Sequence, residues 1–261
     1  MRFTNVNFSI PRETPKGLFI LLSFGHVHLP RLGLIIPSSN TTMEPEFHKM
    51  LPNSFTVHVA RLKLREVTVK GLIEMERGIE EEVSKLADAN VDVIGFGCTS
   101  GSLLKGLGYD KEIEKRIEKA SMKPAVATAG AVVKALNTLE IRKVAVVTPY
   151  IREINELERN FLEANGFNVI DLKGLGLRDN LKIGEVNSQT VYKLVLEVDC
   201  KSADGIFISC TNLRTIDVIE KLENKLKKPV ISSNTATLWA MLKKCKVSVK
   251  IHGYGKLLRE I

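Results

Sequence analysis

Residues 91–103 read VDVIGFGCTSGSL, and residues 205–212 read GIFISCTN. Each places a cysteine and a threonine at the end of a short apolar run. Runs of this length, bounded by turn residues, are the pattern of a strand buried on both faces of a parallel sheet. Cys98 and Cys210 lie 112 residues apart, and Asp92 with Asp204 and Pro37 with Pro149 keep the same offset. Three equal offsets mark an internal duplication. Two Lys-Pro pairs, at 123 and 228, lie somewhat closer.

Outward from these runs, β-rich segments alternate with longer amphipathic ones. Strands are expected over 31–37, 55–62, 91–97 and 123–128, then over 143–149, 167–174, 205–210 and 228–234. Between them TTMEPEFHKML (41–51) offers a helix start, with threonine for a cap and acids in the first turn. Further helices are expected over 70–89, 110–120, 129–139, 151–165, 188–199, 215–226 and 236–244. Strands alternating with helices argue for βαβ units. The expected fold is therefore α/β: two similar lobes, each a parallel sheet flanked by helices, related by a pseudo-twofold duplication, with the active site between them. The first lobe takes 31–140 plus 232–261 and the second 141–231, and residues 1–30 are read as an N-terminal extension.

Composition narrows the function. The formal charge of +8 raises the question of nucleic acid. The basic residues are, however, interleaved with glutamates, as in KEIEKRIEKA (111–120), which is a solvated helix face and not a phosphate-binding stripe. Nucleic acid is not an expected partner. Four cysteines in 261 residues fit reduced thiols in a cytoplasm, without the density of a disulfide scaffold. The five histidines are dispersed and no CxxC pair occurs, so a bound metal is not expected. LFILLSF (18–24) is too short to span a membrane, and Glu13 and two prolines weaken it as a signal peptide.

In open α/β sheets, ligands bind beyond the carboxyl ends of the strands. The duplication sets one thiol on each lobe there. A free thiol titrates near about 8.5 and attacks as the thiolate, so backbone N–H groups of the following helix start are expected to lower its pKa. Thr99, Ser100 and Thr211 add donors for a carboxylate or enolate oxygen. Cys200 and Cys245, away from any strand end, read as packing residues. PSSNTTMEPE (37–46) brings polar side chains to the same edge, and Tyr150 stands opposite Ser38 in register. The loop also suits a plain helix cap. The Asp179–Asn180 pair likewise suits a plain turn.

GLIIPSSNTTMEPE, GFGCTSGSL, VAVVTPY, the Asp179–Asn180 pair and ISCTN, in that order, resemble the aspartate/glutamate racemase superfamily. Within it the chain is similar to the maleate cis-trans isomerases and to their arylmalonate decarboxylase relatives, over about residues 31–261. The resemblance implies a cofactor-free enzyme that closes two lobes on a small dicarboxylate, and a homo-oligomer. It assigns Cys98 as nucleophile, Cys210 as partner thiol, and Asn40, Tyr150 and Asn180 as substrate-binding residues. The decarboxylases keep only the second-lobe cysteine, so Cys98 weighs against that activity. Racemases of aspartate, glutamate or a hydantoin keep both thiols and stand as the alternative. A non-catalytic binding protein using the same cleft is a reading from another class.

Overall fold

The structure, a computed structural model, describes residues 30–259. The expected extension, including LFILLSF, lies outside the described residues. The first half runs β1 (Arg31–Pro37), α1 (Met43–Met50), β2 (Thr56–Leu62), α2 (Val69–Glu76), α3 (Ile79–Asp88), β3 (Val93–Phe96), α4 (Thr99–Leu103), α5 (Tyr109–Ser121), β4 (Ala125–Ala127) and α6 (Thr128–Thr138). The second runs β5 (Lys143–Tyr150), α7 (Arg152–Ala164), β6 (Asn168–Leu177), α8 (Asn180–Glu185), α9 (Ser188–Val198), β7 (Gly205–Ile208), α10 (Ile216–Leu226), β8 (Val230–Ser232), α11 (Ser233–Lys244) and α12 (Lys256–Arg259).

Two parallel sheets result, ordered β2-β1-β3-β4 and β6-β5-β7-β8. Their orders match, and β7 begins and ends 112 residues after β3. Both of these strands are fully buried, which is why their residues are apolar throughout. The paired aspartates do one job twice. Asp92 accepts the N–H of Arg31 at 2.7 Å, and Asp204 accepts that of Lys143 at 2.7 Å, each tying the start of the loop-fed strand to the strand opening beside it.

The structure departs from expectation in local detail. The segment expected as one helix over 70–89 is two, α2 and α3, parted at Arg77 and Gly78, where glycine weakens helix continuity. Strands expected over 123–128 and 228–234 shrink to three residues each, because Thr128 and Ser233 open helices. A reciprocal bond pair between Ser232 and Thr235 caps α11.

Helix α11 leaves the second sheet and lies against β3, β4 and α6 of the first. The fit there is tight: a Cβ on Gly95 would come within 2.7 Å of Met241 Sδ. One apolar cluster joins Leu34, Val93 and Met241 with Val144, Leu162 and Phe207, so the lobes share a core and their strand ends are held in fixed relation.

Candidate active site

Beyond β3, Cys98 caps α4: its Sγ accepts the Gly101 N–H at 3.3 Å and lies 3.8 Å from Ser100 Oγ. Beyond β7, Cys210 occupies a left-handed turn with φ +90°, where its Sγ accepts the Asn212 N–H at 3.4 Å. A non-glycine residue in that region stores strain on the order of 1–3 kcal/mol, which the surroundings must hold in place. They do so from both sides. Ser209 N–H donates to Val147 O at 2.8 Å, and Cys210 N–H donates to Ser233 Oγ at 3.0 Å.

Hydrogen bonds tie the two strand ends to each other. Thr211 Oγ1 donates to Gly97 O, next to Cys98, at 3.0 Å. Thr99 Oγ1 donates to Ser233 Oγ at 2.8 Å, so one hydroxyl serves both Thr99 and the Cys210 backbone. Asn40 caps α1 through Oδ1, which accepts the N–H groups of Thr42 and Met43, and its Nδ2 donates to Thr211 Oγ1 at 3.0 Å. The cap reading and the site reading of that loop thus hold for one residue at once. Asn180 is buried at the start of α8, with Nδ2 donating to Ser39 Oγ at 2.9 Å, while Asp179 caps the helix. Asn212 donates from Nδ2 to Asn180 O and accepts the Thr41 N–H at 2.8 Å. Residues 65–67 and 178–180 pair across the lobes, through Val67 N–H to Arg178 O at 2.8 Å and Asn180 N–H to Arg65 O at 2.9 Å.

All eight residues singled out in the sequence are therefore buried at one junction: Cys98, Cys210, Asn40, Thr99, Ser100, Tyr150, Asn180 and Thr211. Ser39, Asn212 and Ser233 belong to the same network and were not singled out. Their polarity alone does not separate them from helix caps, and their partners are distant in sequence.

Electrostatics differ from expectation. Burial pushes the Cys98 thiol up to about 11, with the Gly101 N–H and the Ser100 hydroxyl pulling the other way. Burial likewise pushes Cys210 up to about 12, against the Tyr150 hydroxyl and the Asn212 N–H. The expected lowering by backbone donors is present, and desolvation outweighs it, so both sulfurs rest as thiols. Tyr150 is held well above its ordinary value by burial and by neighbouring Cys210, and its neutral O–H donates to that sulfur. A thiolate at Cys98 raises Cys210 further, so the pair favours one charge at a time. Among the described residues no group of three or more His, Cys, Asp or Glu side chains could hold a metal ion. None of their helices is long and apolar enough to cross a membrane.

The family model for arylmalonate decarboxylase matches residues 32–258. The chain belongs to the arylmalonate decarboxylase family. Among family relatives, the maleate isomerase of Pseudomonas putida is 33% identical over 88% of this chain and 97% of its own length. The Nocardia farcinica maleate cis-trans isomerase bound to TRIS superimposes with a TM-score of 0.86 at 30% identity, over 88% of this chain and 98% of that one. A cysteine-to-serine mutant of the Nocardia enzyme, carrying a covalently bound succinylcysteine intermediate, gives a TM-score of 0.85 at 29% identity, over 89% and 99% of the two chains. Within the arylmalonate decarboxylase family this chain combines a thiol at both strand ends with donors around each.

Proposed function

We propose that this chain is a cofactor-independent isomerase that converts a small unsaturated dicarboxylate from cis to trans, maleate to fumarate, by reversible addition of Cys98. The observation that carries the reading is the pair of buried thiols at equivalent strand ends, each with its own hydrogen-bond donors, in a chain similar to maleate isomerases. The Cys98 sulfur, as thiolate, adds to one alkene carbon. The electron pair of the double bond moves onto the neighbouring carbon and its carboxylate as an enediolate, stabilised by amide and hydroxyl donors. The former double bond, now single, rotates. Return of the electron pair expels the thiolate and leaves fumarate.

Cys210, kept as a thiol, governs the proton at the opposite face. The succinylcysteine of the Nocardia mutant supports this chemistry, since it is the product of adding a sulfur and a proton across the double bond. Asn40, Tyr150 and Asn180 hold the carboxylates in this scheme, with Thr99, Ser100 and Thr211 completing the donor set. The four free cysteines support a cytoplasmic setting, and the family resemblance supports a homo-oligomer.

The test is proton NMR of maleate incubated with the reduced protein, without added cofactor or metal, beside Cys98→Ala and Cys210→Ala. Fumarate formed by the wild type and lost in both variants is expected. If no fumarate forms, and deuterium from D₂O enters the α-position of aspartate, glutamate or a hydantoin, the protein is a racemase. Stoichiometric capture of maleate without turnover leaves a binding protein.

A further inference from the structure

Glu46 and Glu158 lie 112 residues apart, at the offset of the two cysteines. Each sits on the apolar face of its helix, Glu46 with Phe47 and Met50 on α1, Glu158 with Ile154, Phe161 and Leu162 on α7. Both are buried, but their surroundings differ. Glu46 accepts the N–H groups of Thr215 at 2.7 Å and Ile216 at 3.3 Å, the Thr215 hydroxyl at 3.3 Å and the Asn234 amide at 2.7 Å. Glu158 has a single partner, the Ser209 hydroxyl, 2.5 Å from Oε1, and its buried Oε2 has none.

Glu158 borders a crevice lined by Thr99, Leu103, Ala129, Val132 and Phe207, with no room for a water molecule. A carboxylate with one hydrogen bond in such a place is costly, and the neutral acid is the form that fits. Burial accordingly pushes Glu158 up to about 8, with the Ser209 bond alone pulling it back. The titratable groups that feel it are Tyr150 on β5 and Cys210 after β7. On β6, Asp171 and Lys173 are partly exposed, and Lys173 pairs with Glu197 at 3.4 Å. On α7 itself, Arg159 turns to Val169 O at 2.8 Å. Among the described residues no basic side chain bonds to Glu158.

We propose that Glu158 is a positioning residue for the second thiol and works as the neutral acid: through Ser209 it fixes the backbone that presents Cys210, and by carrying no charge it spares Cys210 and Tyr150 a buried neighbouring anion. The inference rests on the two-thiol reading above. Its geometry is the direct sequence of contacts, Glu158 to Ser209 and Ser209 to the strained Cys210. Its electrostatic half follows because an ionised Glu158 raises both Cys210 and Tyr150.

The test compares the reduced full-length protein with Glu158→Gln and Ser209→Ala. Infrared difference spectra taken across a titration from neutral to alkaline pH should show a protonated carboxyl band in the wild type that the Gln variant lacks; absence of the band overturns the neutral acid. Labelling of Cys210 by iodoacetamide is then followed by peptide mass spectrometry, with Cys200 as internal reference. Above a pH of about 8, Glu158→Gln should label Cys210 several-fold faster than the wild type does, and coincident pH profiles overturn the charge effect. Ser209→Ala should lower maleate turnover about tenfold with little change in KM, the loss of one hydrogen bond, and turnover within about twofold overturns the positioning role. The first two readouts need no substrate, so their failure is distinct from failure of the isomerase reading.

Discussion

Replacing Ser233 by alanine should loosen the junction at its most shared atom. Ser233 Oγ is fully buried and accepts from Thr99 Oγ1 at 2.8 Å and from Cys210 N–H at 3.0 Å. Alanine removes both bonds without adding bulk. The Thr99 hydroxyl can rotate toward another acceptor, whereas the Cys210 N–H is fixed by the backbone and is left buried and unpaired. Two bonds at about 1 kcal/mol net each, plus the cost of the orphaned donor, give a destabilisation of about 2–4 kcal/mol. For a chain of this size that is a fall in melting temperature of about 5–12 °C, measured by differential scanning calorimetry. Turnover should fall further than stability alone dictates, by about 10²-fold, because the left-handed Cys210 turn loses the anchor that aims its sulfur. Thr99→Val provides the control. It removes one of the same two bonds, so the double variant should cost about 1 kcal/mol less than the two single variants added together. Additive effects, or a Ser233→Ala melting point within about 2 °C of wild type, would refute the claim that this hydroxyl ties the lobes.

Three further outcomes are expected. Glu158, raised from an unfolded value of about 4.3 to about 8, contributes stability that is full below the lower value and is lost as pH rises through the upper one. Glu158→Gln does not titrate, so urea unfolding should show the variant gaining on the wild type between those pH values, by on the order of 5 kcal/mol, and no such divergence would mean the carboxyl is already ionised in the fold. Gly174→Ala puts a Cβ within 2.6 Å of Tyr150 O, between paired β5 and β6, and should lower stability by about 1–3 kcal/mol while reducing turnover; an unchanged denaturation midpoint would contradict the contact. Tyr150→Phe keeps the ring and deletes the donor to Cys210, so Cys210 should ionise less readily, and its alkylation profile should move to higher pH.

The architecture was legible because duplication repeats what the fold needs. Asp92 and Asp204 recur at one offset since each ties down a neighbouring strand start, and Cys98 and Cys210 recur since each follows an equivalent central strand. What escaped reading depends on contacts between distant segments. Ser233 falls inside a run that reads as a strand, yet it opens α11 and its partners lie 134 and 23 residues away. Asn212 reaches Thr41 across 171 residues. The two glutamates did leave a signal: each interrupts the apolar stripe of an amphipathic helix, Met43, Phe47 and Met50 in one case, Ile154, Phe161 and Leu162 in the other. The thiol energetics were read with the wrong sign because donors at a helix start are visible in a sequence and burial at a lobe junction is not.

The duplication also explains how two like thiols come to differ. Framework positions stay equal across the 112-residue offset, as at Pro37 and Pro149, whereas positions at the site diverge: Ser38 against Tyr150, Gly97 against Ser209, Ser100 against Asn212. Divergence gives Cys98 the Ser100 hydroxyl and the Gly101 N–H as donors, and gives Cys210 the Tyr150 hydroxyl and the Asn212 N–H. A thiolate on Cys98 raises Cys210, so the pair favours one charge at a time. The proposed addition uses that single charge, one sulfur attacking as an anion while the opposite sulfur stays a thiol. Symmetry supplies two equivalent strand ends, and the unequal residues around them supply the division of labour.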